Sequence, residues 1–257
     1  MILDKIVEDK KVRLLEHKSR ISLAEMRKLA EQCEAHPASF YEGLAKPGIS
    51  IIGEFKKASP SLGNITSQID LTKRIDEYNA SVDCISCLTE EDHFLGNVDY
   101  LKEIREISPL PILRKDFMID EYQFYEAKAI GANAILLITG ILDDVQLRDF
   151  YQLTTELGLD ALFEAHTEEQ MDRALNCGAN IVGVNNRDLR DFSIKLDTTK
   201  RLSKMVPDDR IFVAESGIVS DEDVKYLNEC CVDAFLIGRA FMESANPQEL
   251  AKHWKAL

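Results

Sequence analysis

The chain has 257 residues, 45% of them hydrophobic and 30% charged, the balance of a globular protein with a sizeable core. Its formal charge is −14 and its few paired bases, Lys10-Lys11 and Lys56-Lys57, are isolated, so the basic stripe of a nucleic-acid binder is excluded. The longest apolar run, 132–142, is broken by Asn133, Thr139 and Gly140 and falls short of the roughly 20 residues a membrane span needs.

The opening residues carry acids throughout and lack the apolar core of a signal peptide, so the expected compartment is the cytoplasm. Residues 1–48 read as a helical extension: Ile2, Leu3, Ile6 and Val7 keep helical spacing, and Leu23, Met26, Leu29 and Ala30 repeat it. Pro37 and Pro47-Gly48 punctuate this part.

From residue 50 a different rhythm begins. Short β-rich runs fall at 50–56, 82–88, 110–115, 132–138, 161–164, 181–185, 211–215 and 234–237, with helical periodicity between them, as in Leu71, Ile75 and Tyr78. The spacing is that of a strand plus a crossover helix. Thr167 to Gln170 and Ser220 to Asp223 resemble capping boxes, and Gly131, Gly158 and Gly178 stand where left-handed caps belong. Eight such units with near-continuous apolar strands predict an α/β fold, a single (β/α)8 barrel domain over 1–257 with 1–48 as its helical extension. An open doubly wound sheet is the alternative; it usually has fewer strands and a glycine-rich first turn, and no G-x-G-x-x-G or P-loop pattern follows any strand here.

The six cysteines are scattered. Cys84 and Cys87 form a C-x-x-C inside a strand run, where an offset of three sends the thiols to opposite faces, and no second ligand pair accompanies them. They read as reduced thiols, with no metal and no cofactor expected.

In such a barrel the chemistry sits at the C-terminal ends of the strands. Those ends carry Glu54 and Lys56, Lys115, Glu164 (in Phe163-Glu164-Ala165-His166), Asn185 and Glu215. Alternation pairs Leu113 with Lys115, Leu162 with Glu164, Gly183 with Asn185 and Val213 with Glu215, so each polar group continues an interior row. A capped barrel end full of salt bridges would explain any one of them. Six converging on one cavity point to proton-transfer chemistry. Gly217, and Gly238-Arg239 opening a short helix, stand where many barrels bind phosphate.

The run Glu54-Phe55-Lys56-Lys57-Ala58-Ser59-Pro60-Ser61 with Gly63 resembles the first-strand signature of the indole-3-glycerol-phosphate synthase family. Leu113-Arg114-Lys115-Asp116-Phe117, Val184-Asn185-Asn186-Arg187-Asp188-Leu189, Val213-Ala214-Glu215-Ser216-Gly217-Ile218 and Phe235-Leu236-Ile237-Gly238 are similar to its other motifs, in order and over essentially the whole chain. The resemblance implies a carboxy-lyase of tryptophan biosynthesis. Its substrate would be 1-(2-carboxyphenylamino)-1-deoxyribulose 5-phosphate and its products indole-3-glycerol phosphate, CO2 and water, with no cofactor.

It further implies that Lys115 is the general acid of ring closure and Glu164 the acid/base of dehydration. Lys56 would hold the carboxylate or phosphate end and share the acid role. Glu54 and Asn185 would orient these groups, with Glu215 alongside. Ser59, Ser216, Gly217 and Gly238 would line the anion sites and Arg187 would brace the cavity. Leu113, Phe117, Leu136 and Ile237 would press on the anthranilate ring. Two positions depart from the family's pattern: Arg239 stands where small hydroxyl residues are common, and Gly53 stands where Ala is common, with little consequence expected.

Three rivals stand beside this reading: a phosphoribosylanthranilate isomerase, against which the cysteine positions count; a Schiff-base aldolase using Lys56 or Lys115; and a catalytically dead barrel serving as a scaffold. The partner expected is a phosphorylated small molecule, with no nucleic acid and no membrane. Oligomeric state is not fixed by the sequence; a monomer or weak homodimer is expected.

Overall fold

Eight parallel strands close on themselves in the computed structural model: β1 (Ser50–Phe55), β2 (Cys84–Leu88), β3 (Ile112–Lys115), β4 (Ala134–Ile138), β5 (Asp160–Ala165), β6 (Ile181–Asn185), β7 (Ile211–Glu215) and β8 (Ala234–Ile237). Each pairs in parallel with the next, and β8 pairs with β1. The structure describes all residues except 1, 35–36, 57, 60–62, 65–69 and 189–191, and the side chains of 57–69 lie outside the description.

Strand pleating sorts the side chains into two layers. Ile52, Leu113, Leu162, Val213 and Leu236 fill the barrel interior. Ile51, Phe163, Ala214 and Phe235, chain neighbours of four of these, pack outward against the helices, as does Phe55. The same alternation separates Cys84, inside, from Cys87, outside; both are free thiols. All eight strands fall where the sequence puts them, apart from one or two residues at some ends; Val82 and Leu110, for example, precede their strands.

Between strands run α4 (Leu71–Asn79), α5 (Val98–Ile107), α6 (Glu121–Ala129), α7 (Asp144–Glu156), α8 (Glu168–Asn176), α9 (Asp197–Leu202), α10 (Asp221–Asn228) and the short α11 (Arg239–Glu243), with α12 (Pro247–Lys255) closing the chain. Ser220 and Asp223 form the expected capping box. Thr167 makes only half of one. Its hydroxyl accepts from Gln170 N–H, but the Gln170 side chain turns instead to the backbone N–H of His166. Gly131, Gly158 and Gly178 have φ of 85°, 70° and 89°, the left-handed caps expected of them.

The extension comprises α1 (Ile2–Arg20), α2 (Leu23–Gln32) and α3 (Phe40–Leu44), and it closes the barrel at both ends. At the N-terminal end of the barrel Phe40 and Leu44 join the interior cluster, the Ser50 hydroxyl donates to Leu44 O, and Asp160 accepts from Tyr41 N–H. At the C-terminal end α1 lies against the loops. Ile6 packs with the cluster that holds Phe117 and Ile138, and Lys10 forms a buried ion pair with Asp116 at 2.8 Å. Leu29, placed on the apolar stripe of α2 by its spacing, is instead largely exposed, because only Met26 and Ala30 of that helix are buried.

Candidate active site

A cleft with about 1110 Å³ of empty space, part of it open mouth, lies at the C-terminal ends of the strands. Glu54, Lys56, Lys115, Glu164 and Asn185 all line it, as do Phe117, Arg187, Ser216, Gly217, Gly238 and Arg239. Strand register makes the convergence: Asn185 is level with Glu215, and Glu164 is level with Gly183. Gly183 has no side chain for a physical reason. A Cβ there would sit 2.5 Å from Glu215 Oε1.

Lys115 is the centre of the charges. Its ammonium hydrogen-bonds Glu215 Oε2 and lies 3.8 Å from Glu164 Oε2, which also accepts from Asn185 Nδ2 at 3.2 Å. Burial pushes the Lys115 pKa down, but Glu215, Glu164 and Glu54 outweigh it, so the pKa is raised and the ammonium is held charged. Glu215 shows the opposite balance. It is wholly buried, and desolvation together with the nearby Glu164 charge pushes it up to about 7 against the pull of Lys115.

Glu54 and Lys56 form the opposite wall, with Lys56 Nζ donating to both Glu54 oxygens at 2.9 and 3.0 Å. Burial raises the Glu54 pKa, but Lys56, Lys115 and Arg187 pull harder and leave it below the usual carboxylate value. Gly238 gives this pair its room: a Cβ there would meet Lys56 Nζ at 2.6 Å.

Behind β7 the chain takes two successive left-handed residues, Ser216 at φ 63° and Gly217 at φ 82°. Backbone held in this region at a non-glycine residue is typically found at functional sites. Asn186 holds the turn, its side-chain amide donating to the carbonyls of Glu215 and Ser216. A Cβ on Gly217 would strike Ile194 at 2.5 Å.

Some placements differ from the sequence reading. Glu215 lies beneath Lys115, outside the cleft lining, so it reaches the cavity only through that ammonium. Leu113 sits in the interior layer below the cleft, whereas Phe117, Leu136 and Ile237 do line it. Arg239 lines the cleft while its Nε bonds Glu243 Oε1 at 2.8 Å on the exposed face of α11. Gly53 packs under the Tyr78 ring, so a Cβ there, 3.0 Å from two ring carbons, would displace the ring that donates to Glu54 O. The Ser59 backbone belongs to a short antiparallel pairing of Ala58–Ser59 with Gly63–Asn64, but its side chain, like Pro60 and Ser61, lies outside the described residues.

The part of the apolar wall that loops supply was missed. Phe94, Phe192, Ile194, Ile218 and Val219 complete the lining from loops, and Phe94 packs on Phe117 with ring centroids 6.1 Å apart. Loop aromatics carry no periodic signal, so only their clustering near strand ends was available to flag them.

A family model described as indole-3-glycerol phosphate synthase matches residues 3–254. A protein of that name from Lachnospira eligens is 54% identical over 260 aligned residues, covering 99% of this chain and 97% of its own. Another, from Clostridium acetobutylicum, is 49% identical, covering 95% of this chain and 93% of its own. Among solved structures, 3-hexulose-6-phosphate synthase from Salmonella typhimurium superposes with a TM-score of 0.64 at 15% identity, covering 81% of this chain and 97% of its own. Thiamine phosphate pyrophosphorylase from Pyrococcus furiosus gives 0.60 at 12%, covering 85% and 96%. At such identities those two likenesses report the barrel alone. The sequence matches go further: the chain belongs to the indole-3-glycerol phosphate synthase family, decarboxylating lyases of tryptophan biosynthesis.

Proposed function

We propose that the cleft closes the indole ring of 1-(2-carboxyphenylamino)-1-deoxyribulose 5-phosphate with Lys115 as general acid. The observation that carries this is the Lys115 ammonium, held charged among three carboxylates at the floor of the cleft. A charged ammonium gives a proton to the ribulose carbonyl oxygen as the ring carbon attacks its carbon. It is a poor nucleophile, which disfavours the Schiff-base aldolase.

After attack, CO2 leaves with its bonding electrons passing into the adjacent iminium. Loss of the hydroxyl as water, with removal of the ring proton, then restores aromaticity. Glu164 serves as acid/base in this dehydration, while Asn185 and Glu54 orient substrate hydroxyls and Lys56 holds an anionic end. Ser216, Gly217, Gly238, Arg239 and Ser59 are assigned to the anion sites, Arg187 to bracing the cavity, and Glu215 to fixing Lys115. Phe117 and Leu136, with Phe94 behind, supply the apolar wall that brings the ring to the carbonyl carbon. The reading includes a monomeric or weakly dimeric enzyme of the cytoplasm; among the described residues no helix is long and apolar enough to cross a membrane.

The test is incubation with the aminodeoxyribulose phosphate while indole fluorescence is followed. Fluorescence should rise with CO2 release, and borohydride should trap no adduct. A folded protein giving no signal would sink the proposal.

A further inference from the structure

Glu164 has one oxygen that the described residues leave without a hydrogen bond. Its Oε2 is engaged by Asn185 and faces Lys115, whereas Oε1 is buried and unpartnered, and the residue as a whole is 1% exposed. The group facing Oε1 is His166, whose Nε2 lies 3.7 Å away and is likewise buried without a hydrogen bond. A small rotation of either side chain closes that gap to hydrogen-bond length.

The backbone that carries the ring is held in place. The His166 backbone N–H donates to Gln170 Oε1 at 2.8 Å, and Arg201 donates to its carbonyl. Gly140 leaves space for Gln170, since a Cβ there would meet Nε2 of that side chain at 2.9 Å.

His166 also lines a second cavity, which shares Ile138 and Asn185 with the catalytic cleft. Leu3 of α1, Thr198 and Lys195 stand on its wall. The ring keeps about a fifth of its surface, 20% exposed, although Nε2 is covered. It therefore bridges a buried carboxylate and a space open to solvent.

We propose that His166 is a proton relay between Glu164 and this side cavity, a positioning residue that acts through Glu164 and does not touch substrate. The proposal rests on Glu164 taking part in the dehydration. When substrate fills the main cleft, a carboxylate this deeply buried needs another path to restore its proton. Asn185 carries none, and the proton on Lys115 is the one assigned to ring closure.

In the relay, neutral His166 with its proton on Nε2 accepts a proton at Nδ1 from a buffer acid or hydronium in the side cavity. The Nε2–H bond then breaks as an O–H bond forms on Glu164 Oε1. The ring, now carrying its proton on Nδ1, returns to the first tautomer by exchange with solvent. The sequence runs backward when Glu164 must lose a proton. The charges facing the relay are Lys115 and Glu215 on the cleft side, Lys195 and Asp188 on the cavity side, and Arg201 paired with Glu168 at the backbone.

The test uses the full chain carrying His166→Ala or His166→Gln, assayed at pH 7 in dilute buffer. Both variants should lose about tenfold in kcat, less than the roughly 10²–10⁴-fold of a group that exchanges a proton with substrate directly, with KM unchanged. Added imidazole should restore kcat of the His166→Ala variant saturably, in step with the concentration of its acid form, while the wild type is indifferent. Wild-type kcat in dilute buffer, or a loss that no small buffer restores, overturns the relay. The underlying reading fails separately, through wild-type turnover by Glu164→Gln.

Discussion

Lys115 on β3 hydrogen-bonds Glu215 on β7 across the inside of the barrel, joining residues 100 positions apart in the chain. Both occupy the last inward position of their strands, so neither reaches water except through the other or the cleft. Of the charges that hold Lys115 protonated, Glu215 is the largest. Glu215→Gln keeps the shape and removes that charge, so the Lys115 pKa should fall. A base whose pKa falls loses its proton at lower pH, and the alkaline limb of kcat/KM should move toward neutrality. On the falling alkaline limb the variant should be slower than wild type by about tenfold for each pKa unit by which that limb has moved. A pH profile with an unmoved alkaline limb would show that Glu215 does not tune the acid.

The opposite wall gives a test of substrate binding with little risk to folding. Gly238 has φ −106°, which any residue adopts, so a substitution there is not strained in the backbone. The nearest atoms a Cβ would meet are side-chain ends, Lys56 Nζ at 2.6 Å and Glu54 Oε2 at 2.9 Å. Gly238→Ala should therefore stay within about 1 kcal/mol of wild-type stability while splaying that ion pair. KM should rise about tenfold with a smaller change in kcat, as expected when binding shared by ground and transition states is lost. Unaltered KM would remove Lys56 from the binding site.

The N-terminal extension is fastened to the catalytic strand by an ion pair out of water. Lys10 and Asp116 lie 2.8 Å apart with side chains 3% and 1% exposed, and Asp116 also accepts from Thr89 and Arg114. Lys10→Met should cost about 3–5 kcal/mol, because it leaves Asp116 buried with less compensation. Melting temperature should drop by about 2–4 °C for each kcal/mol lost.

The pH dependence of that strut has a definite sign. Burial raises the Asp116 pKa, but Lys10 and Arg114 outweigh it and the carboxyl ends below its usual value. A depressed acid stabilises the fold above its unfolded pKa, and that stability is lost as pH falls through the folded pKa. In the Lys10→Met protein the loss should begin at a higher pH. Melts from pH 7 down to pH 3 would check this, and parallel curves for the two proteins would contradict it.

The barrel was legible because strand alternation and helix spacing are local. Leu113 with Lys115 and Leu162 with Glu164 can be assigned to one face from the period of two alone. The polar floor of the site followed from that, since Glu54, Lys115, Glu164 and Asn185 simply extend interior rows. What lies at the floor's depth did not. Whether Glu215 stands beside the substrate or under Lys115 depends on barrel stagger, which pairs Asn185 with Glu215 and leaves Lys115 above it. Loop residues such as Phe94 and Phe192 were invisible because nothing periodic places them. Lys10 was read only as part of a basic pair; its burial is a tertiary fact, set by where α1 crosses the loops.

Everything proposed for the cleft turns on the proton Lys115 gives. The most direct measurement is turnover of the aminodeoxyribulose phosphate by Lys115→Ala beside wild type, with product binding measured on both. Removing a general acid should lower kcat by at least 10²–10⁴-fold, to the edge of detection, while indole-3-glycerol phosphate binds with nearly wild-type affinity. A variant that turns over at the wild-type rate would contradict the role assigned to Lys115.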